Sequence, residues 1–330
     1  MKQILYSLLI WIGISTLVPH VYSQDRDSTF INISASGIRI CDVRPTFLEI
    51  SLRTLPAINN YPLANQSLNN RFETNRLYNV KLNVPFLLSR KLDIIGQFRY
   101  KNEELHLGND LEANEKEIHF DNLGLSIMFK YHFDQSFYIA GHLGGFLKSD
   151  KLTFENYSSI LDYNSTLLLG KDLELGTVGM GAIMGNSLGR FRIYPLFLFD
   201  YQFSDNWKLE MKLPKELQVR RILKPDNFYL IGGAELNGSS YFVSQDIYNG
   251  IEDLEYRRAS IDLKIGIEKE IIDFLWVGTD IGLMQPLYSG LVQKRRPTRD
   301  KLLDFNHSFT PYASFSLFLV PPKALFYKIK

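Results

Sequence analysis

The chain has 330 residues, of which 45% are hydrophobic and 22% are charged, and its formal net charge is +1. This balance, with only a local basic cluster at 294–299 and no acidic tail, argues against a nucleic-acid-binding protein. The single cysteine, Cys41, excludes an internal disulfide bond and a cysteine-based zinc site. The mean hydropathy of −0.11 argues against a helical membrane protein, whose spans are runs of about 20 apolar residues.

The N-terminal segment, residues 1–23, predicts a secretory signal peptide. Lys2 supplies a positive start, residues 4–18 form an apolar core, and Ser23 precedes the predicted cleavage site. The alternative is an uncleaved anchor, which the shortness of the apolar core disfavours. Residues 24–45 then form a periplasmic lead-in, a plug or a further strand.

From residue 46 onward, apolar residues alternate with polar ones. In residues 123–133 every second side chain is apolar, and a β-strand places such side chains on one face. The same pattern predicts strands at 46–54, 77–88, 92–102, 117–133, 137–148, 171–185, 190–203, 207–222, 228–244, 255–268, 274–289 and 305–319. Most of these are long enough to cross a bilayer, which takes about 9–11 residues of a tilted strand.

The connections between the predicted strands are of two kinds. Tight connections at 89–91, 134–136, 186–189 and 270–273 contrast with long polar ones at 55–76, 103–116, 149–170, 246–254 and 291–303. Short turns at one end and long loops at the other are typical of outer-membrane β-barrels. A soluble β-sandwich has no reason to sort its connections in this way.

The polar faces of the predicted strands carry charges of both signs. The candidate lumen-facing charged residues are Asp93, Arg99, Lys130, Arg192, Asp200, Asp262, Lys264, Glu268 and Asp280. Unpaired charges are costly in a dry core and cheap in a wet lumen. The sequence therefore predicts an all-β fold, a single up-and-down antiparallel transmembrane barrel over residues 46–320, located in the outer membrane.

The number of strands depends on residues 207–222. Their apolar side chains share one parity and favour a single strand, yet Pro214 interrupts the ladder. Lys215 would then face lipid near mid-depth, at a cost of about 2–4 kcal/mol. A turn at Pro214 removes that cost but needs another strand inside 149–170. We predict about twelve strands, with fourteen as the alternative.

Several segments give the chain a family resemblance. The signal peptide, the striped hairpins, PLFLFDY at 195–201 and WKLEMKLP at 207–214 resemble an uncharacterised family of Gram-negative outer-membrane β-barrel proteins. The resemblance covers roughly residues 46–320 and implies the fold, but it carries no catalytic or ligand-binding residues. The chain departs from such barrels at its end, where Pro321 and Pro322 stop the ladder and a C-terminal tail, 321–330, follows.

No group of residues predicts catalysis, a metal site or a cofactor. His119 and His132 would lie about 43 Å apart along one strand, and Ser126 and His142 lack a third group to orient them as a nucleophile and base. We predict a passive barrel, either a narrow channel or a structural envelope protein. Its predicted partners are outer-membrane lipid and the insertion machinery. The alternatives are a barrel enzyme acting on lipid and a surface-binding protein that works through its loops.

Overall fold

The computed structural model describes residues 31–34, 37–40, 46–55, 70–89, 91–109, 116–152, 160–187, 190–224, 227–244, 253–293, 301–304 and 309–322. The predicted signal peptide, Cys41, the basic cluster at 294–299 and residues 323–330 of the tail lie outside the described residues. The roles assigned to them above stay predictions. Within the described ranges, no helix is long and apolar enough to cross a membrane.

Fourteen antiparallel strands form one closed β-barrel, which confirms the predicted fold class. The strands of the chain are β1 (Ile31–Ser34), β2 (Gly37–Ile40), β3 (Leu48–Leu55), β4 (Asn70–Leu88), β5 (Leu92–Asn109), β6 (Lys116–His132), β7 (Phe137–Ser149), β8 (Leu161–Leu173), β9 (Gly176–Ser187), β10 (Arg190–Ser204), β11 (Trp207–Leu213), β12 (Glu216–Lys224), β13 (Phe228–Val243), β14 (Leu254–Ile272), β15 (Leu275–Gln293), β16 (Lys301–Asp304) and β17 (Thr310–Leu319). Strands β3 to β15 pair consecutively, and β17 closes the barrel between β15 and β3. Strand β16 adds a short edge to β15, whereas β1 and β2 pair only with each other.

The predicted count of about twelve strands is wrong, and the alternative of fourteen is correct. Residues 207–222 form the hairpin β11–β12 with its turn at Pro214 and Lys215. Lys212 and Glu216 pair across the turn and are both even-numbered, so the odd-numbered residues face outward in both strands. The alternation therefore continues through the turn, as it would in a single strand. The second extra strand is β8, which begins inside the predicted loop 149–170 and ends three residues beyond it, at Leu173.

The outward face of the barrel wall is apolar and the inward face is polar, which is the reverse of a soluble protein. Outward side chains such as Leu125 and Ile281 are apolar and 66% and 69% exposed. Inward side chains such as Lys130 and Asp262 are charged and fully buried. An apolar exterior around a polar interior is the arrangement of a membrane-spanning barrel.

The connections differ between the two ends of the barrel. The tight-turn end carries the short connections 89–91, 133–136, 174–175, 205–206, 225–227 and 273–274. The other end, here the long-loop end, carries 56–69, 110–115, 150–160, 244–253 and 294–309, but also the short connections 188–189 and 214–215. The predicted tight turn at 186–189 lies at the long-loop end because β8 adds a strand before it, and the turn at 214–215 restores the predicted ends of the later connections. Aromatic side chains line the tight-turn end, where the Phe203 and Trp207 rings stack with centroids 6.5 Å apart.

The barrel is not uniform around its circumference. Strands β11 and β12 have 7 and 9 residues, whereas the flanking β10 and β13 have 15 and 16. Near the long-loop end, β13 pairs with β7 at Phe242 and Ser149, and the Asp150 N–H donates to the Phe242 carbonyl at 3.0 Å. At that level this pairing closes a smaller ring, here called the main ring, which consists of β3 to β7, β13 to β15 and β17. Strands β8 to β12 form a side lobe beside it.

Candidate functional site in the barrel interior

The nine charged residues predicted for the lumen all lie on the inward face, as the pairing register of their strands shows. In the main ring these residues are Asp93, Arg99, Lys130, Asp262, Lys264, Glu268 and Asp280. In the side lobe they are Arg192 and Asp200. The structure distributes them over the whole interior and does not bring them together in one site.

In the main ring, contacts across the interior converge on Glu103. This carboxylate on β5 forms an ion pair with Arg258 on β14, four strands away along the wall. It also lies 3.7 Å from the Lys101 ammonium and accepts a 3.3 Å hydrogen bond from the Tyr241 hydroxyl on β13. Side chains from opposite walls therefore meet, and they obstruct the interior at this level.

An aromatic cluster lies beside this network. The Phe120 ring from β6 stacks on Tyr241 at 4.9 Å and on Tyr256 at 5.1 Å between centroids. The cluster also contains Ile118, Val243, Leu254 and Leu291, and its buried members are at most 3% exposed. The main ring is thus packed like a protein core near the long-loop end.

Further ion pairs fill the middle of the barrel. Asp262 on β14 pairs with Arg53 on β3 and accepts a 2.8 Å hydrogen bond from Asn237. Lys264 lies 3.6 Å from Glu235 and 3.8 Å from Glu216. Each of these contacts joins different strands across the inward face, so they brace the wall.

Near the tight-turn end, a second network lies beside an aromatic stack. Lys208 lies 2.8 Å from Asp200 and 2.9 Å from Glu210. Arg220 bridges Glu210, at 3.2 Å, and Glu268. Close by, the Tyr229, Trp276 and Phe318 rings stack with successive centroid distances of 5.6 and 6.1 Å.

The side lobe and the adjacent inward face of β7 are filled less completely. His142, Thr166, Ile183 and Tyr194 form one row across β7, β8, β9 and β10, and all four remain partly exposed. The inward glycines of this wall are Gly144, Gly170, Gly179, Gly181 and Gly185. The Tyr138 ring covers Gly170 and the Phe146 ring lies against Gly144, whereas Gly179 and Gly181 lie close to β8 and remain partly exposed.

An apolar floor lies below this space, toward the tight-turn end. It consists of Tyr138, Ala140, Leu168 and Leu198, which are 1–5% exposed, with Leu196 packed against them. The Lys130 ammonium sits 3.5 Å from the centre of the Tyr138 ring and 3.3 Å from Asp172. The lobe is therefore a polar space that ends on a thin layer of apolar side chains.

The residues considered for catalysis and metal binding do not form a site. His142 is opposite Met128, and the Ser126 hydroxyl donates to Gln97 at 3.4 Å rather than to His142. His132 is opposite Tyr138, as expected from the 134–136 turn. Among the described residues, no group of three or more His, Cys, Asp or Glu side chains has metal-binding geometry.

Sequence reasoning missed the centre of the main-ring network. Glu103 was assigned to a loop at 103–116, but β5 continues to Asn109 and β6 begins at Lys116. The available signal was parity, because Gln97, Arg99, Lys101 and Glu103 are polar at every second position. Arg258 shows the same signal, since Arg258, Ser260 and Asp262 are polar at every second position, but nothing in the sequence pairs it with Glu103.

The apolar exterior, the polar interior and the closed sheet define a transmembrane β-barrel of the outer-membrane type. Residues 109–282 match the profile of a domain of unknown function, DUF6268, and the chain belongs to that family. A search of curated proteins found no match.

Several solved structures share the barrel fold. A deletion mutant of the monoaromatic hydrocarbon channel TodX is 9% identical, covering 83% of this chain and 89% of that one, with a TM-score of 0.47. An outer membrane channel from Pseudomonas putida F1 is 11% identical, covering 84% and 97%, with a TM-score of 0.41. The translocator domain of the autotransporter NalP from Neisseria meningitidis is 10% identical, covering 85% and 90%, with a TM-score of 0.36. At these values no solute, partner or activity is transferred to this chain.

Proposed function

We propose that this protein is a passive, narrow channel of the outer membrane for small solutes, without catalysis and without a cofactor. The proposed route runs through the side lobe, and the apolar floor closes it in this structure. After cleavage behind Ser23, the chain would reach the outer membrane through the insertion machinery and contact outer-membrane lipid.

The partly exposed inward side chains of the side lobe carry this proposal. A purely structural barrel would gain stability by packing its interior throughout, as the main ring does around Glu103. The wall of β7 to β9 instead presents inward glycines and partly exposed polar side chains. The layer around Leu168 and Leu198 lies between this space and the tight-turn end.

Conductance in planar bilayers tests the proposal. We expect low conductance from the natural protein and a several-fold increase for Leu168→Ala, because the shorter side chain opens the floor. Leu167→Ala is the matched control, since Leu167 is the outward neighbour and is 47% exposed. If Leu168→Ala and Leu198→Ala both conduct no better than Leu167→Ala, the barrel is a structural envelope protein.

A further inference from the structure

Among the residues that the structure describes, the wall of the side lobe is open on one side. The β11–β12 hairpin ends partway up the wall. On one side its last pairing is that of Leu213 with Phe197 on β10. On the other side the N–H of Leu236 on β13 donates to the Lys215 carbonyl. Beyond this level, residues 190–196 of β10 pair with β9 alone. Residues 236–241 of β13 pair with β14 alone. We call the gap between these two edges the notch.

The notch begins at the depth of the hydrocarbon core. From Ser204 to Phe197, seven residues of a tilted strand rise about 18 Å above the aromatic rim. The apolar band of such barrels is about 25 Å tall. Phe191 and Ile193, which flank the notch on the outside, are 54% and 61% exposed. Unpaired backbone groups are costly in lipid, so an opening at this depth calls for something that covers it.

Two cations next to the notch differ from most others in the barrel interior. Most inward Lys and Arg side chains have a carboxylate partner, as Lys148 has in Asp162 at 2.8 Å. Within the described ranges, Arg192 and Lys215 form no ion pair, and Arg192 donates only to the Tyr194 hydroxyl at 3.2 Å. Arg99 also lacks a carboxylate, but it lies in the packed main ring and donates to Asn79 at 3.1 Å.

The position of Lys215 relates this cation to the lobe. It lies at the hairpin tip, which forms the lower edge of the notch. Glu216 follows Lys215, at the start of β12, and pairs with Glu235 on β13. Glu235 is itself held by Lys264 at 3.6 Å. Lys215 is partly exposed at this edge, so it can reach an anion that enters the notch from below.

We propose that the notch and the side lobe bind an anionic amphiphile that exchanges with the surrounding bilayer. Its anionic head lies between Arg192 and Lys215, and its apolar chain passes through the notch between the outward side chains near Phe191 and Leu236. Both parts of the site are needed, since cations alone suit any soluble anion and an apolar opening alone suits any lipid chain. This binding goes beyond the proposed channel, because it does not require the floor to open.

Binding of a fluorescent long-chain carboxylate tests the head of the site. The full barrel in phosphatidylcholine vesicles is titrated with a dansyl-labelled carboxylate and, separately, with its methyl ester. We expect the carboxylate to bind at least about ten-fold more tightly, and Arg192→Ala or Lys215→Ala to remove about that factor. Lys171→Ala is the control, because Lys171 is an outward cation over the Phe137 ring on another part of the wall. Equal binding of acid and ester, or no loss in either variant, overturns the proposal.

A pair of glycines on β13 tests the notch itself. Gly238 is an outward residue beside the notch, whereas the outward Gly232 lies below the hairpin tip, where β12 covers that edge of β13. We expect Gly238→Trp to weaken binding of the vesicle-borne carboxylate several-fold and Gly232→Trp to leave it unchanged. Butyrate separates the two sources of anion: if it competes as well as a long-chain carboxylate, the ligand is a soluble anion and the membrane route is wrong. Conductance is not measured in these titrations, so their outcome is independent of the channel test.

Discussion

The main ring and the side lobe are made of the same alternating strands, but they use their inward faces differently. In the main ring, long charged side chains meet across the interior, and Glu103 and Asp262 are fully buried. In the side lobe, glycines and shorter polar residues leave the row from His142 to Tyr194 partly exposed. Alternation alone thus defines a barrel wall, while the size of the inward side chains decides whether the space inside is filled. Rigidity is expected in one region and ligand access in the other.

The largest expected effect separates the two regions by stability. Glu103→Ala leaves Arg258 buried without its carboxylate, which costs about 3–5 kcal/mol of unfolding free energy. Asp162→Ala removes the partner of Lys148 in the lobe, where both side chains are partly exposed, and costs about 1 kcal/mol or less. Urea unfolding in detergent micelles, followed by tryptophan fluorescence, measures both. Equal losses would show that the two regions are packed alike.

Aromatic packing gives a smaller contrast. Phe120→Leu removes two stacked pairs, with Tyr241 and Tyr256, and we expect a loss of about 1–3 kcal/mol. Phe199→Leu on the lipid face removes one tilted contact with Tyr201, at 5.8 Å, and we expect a loss of about 1 kcal/mol or less. The same unfolding experiment compares them. A larger loss for Phe199→Leu would show that aromatic contacts on the lipid face contribute more to stability than those inside the main ring.

The strands and faces of the barrel wall could be predicted from the sequence, but the contacts between inward side chains could not. Alternation gave the faces of nearly every strand, because a strand has a fixed period of two. It failed at Pro214, where the turn preserves parity, and in β8, whose outward face includes Ser165 and Lys171. The contact of Glu103 with Arg258 joins residues 155 positions apart, and only closure of the barrel brings them together. The notch follows from the short hairpin, so it was hidden by the same misreading of 207–222.

The space in the lobe is tested by filling it. Thr166→Trp places a large side chain among His142, Ile183 and Tyr194, whereas Ser165→Trp places the same side chain on the lipid face. In the Leu168→Ala background we expect Thr166→Trp to abolish most of the added conductance and Ser165→Trp to preserve it. Both should change the unfolding free energy by about 1 kcal/mol or less, since each replaces a partly exposed residue. A strong loss of stability for Thr166→Trp alone would mean that the lobe is already filled.

The smallest expected effect lies in the turn that joins β6 of the main ring to β7 at the edge of the lobe. Asp134 accepts hydrogen bonds from the N–H groups of Ser136 and Phe137, both at 2.7 Å, and these bonds lower the pKa of its carboxyl below the ordinary 3.8. A pKa lowered by folding contributes stability that is present above the unfolded value and is lost as the pH falls through the folded value. Asp134→Ala should therefore be slightly less stable than the natural protein at neutral pH. That difference should shrink below about pH 4, and Asp134→Asn, which keeps an acceptor oxygen, should fall between the two. A difference that stays constant down to pH 2 would show that the charge of Asp134 has no part in holding the turn at this boundary.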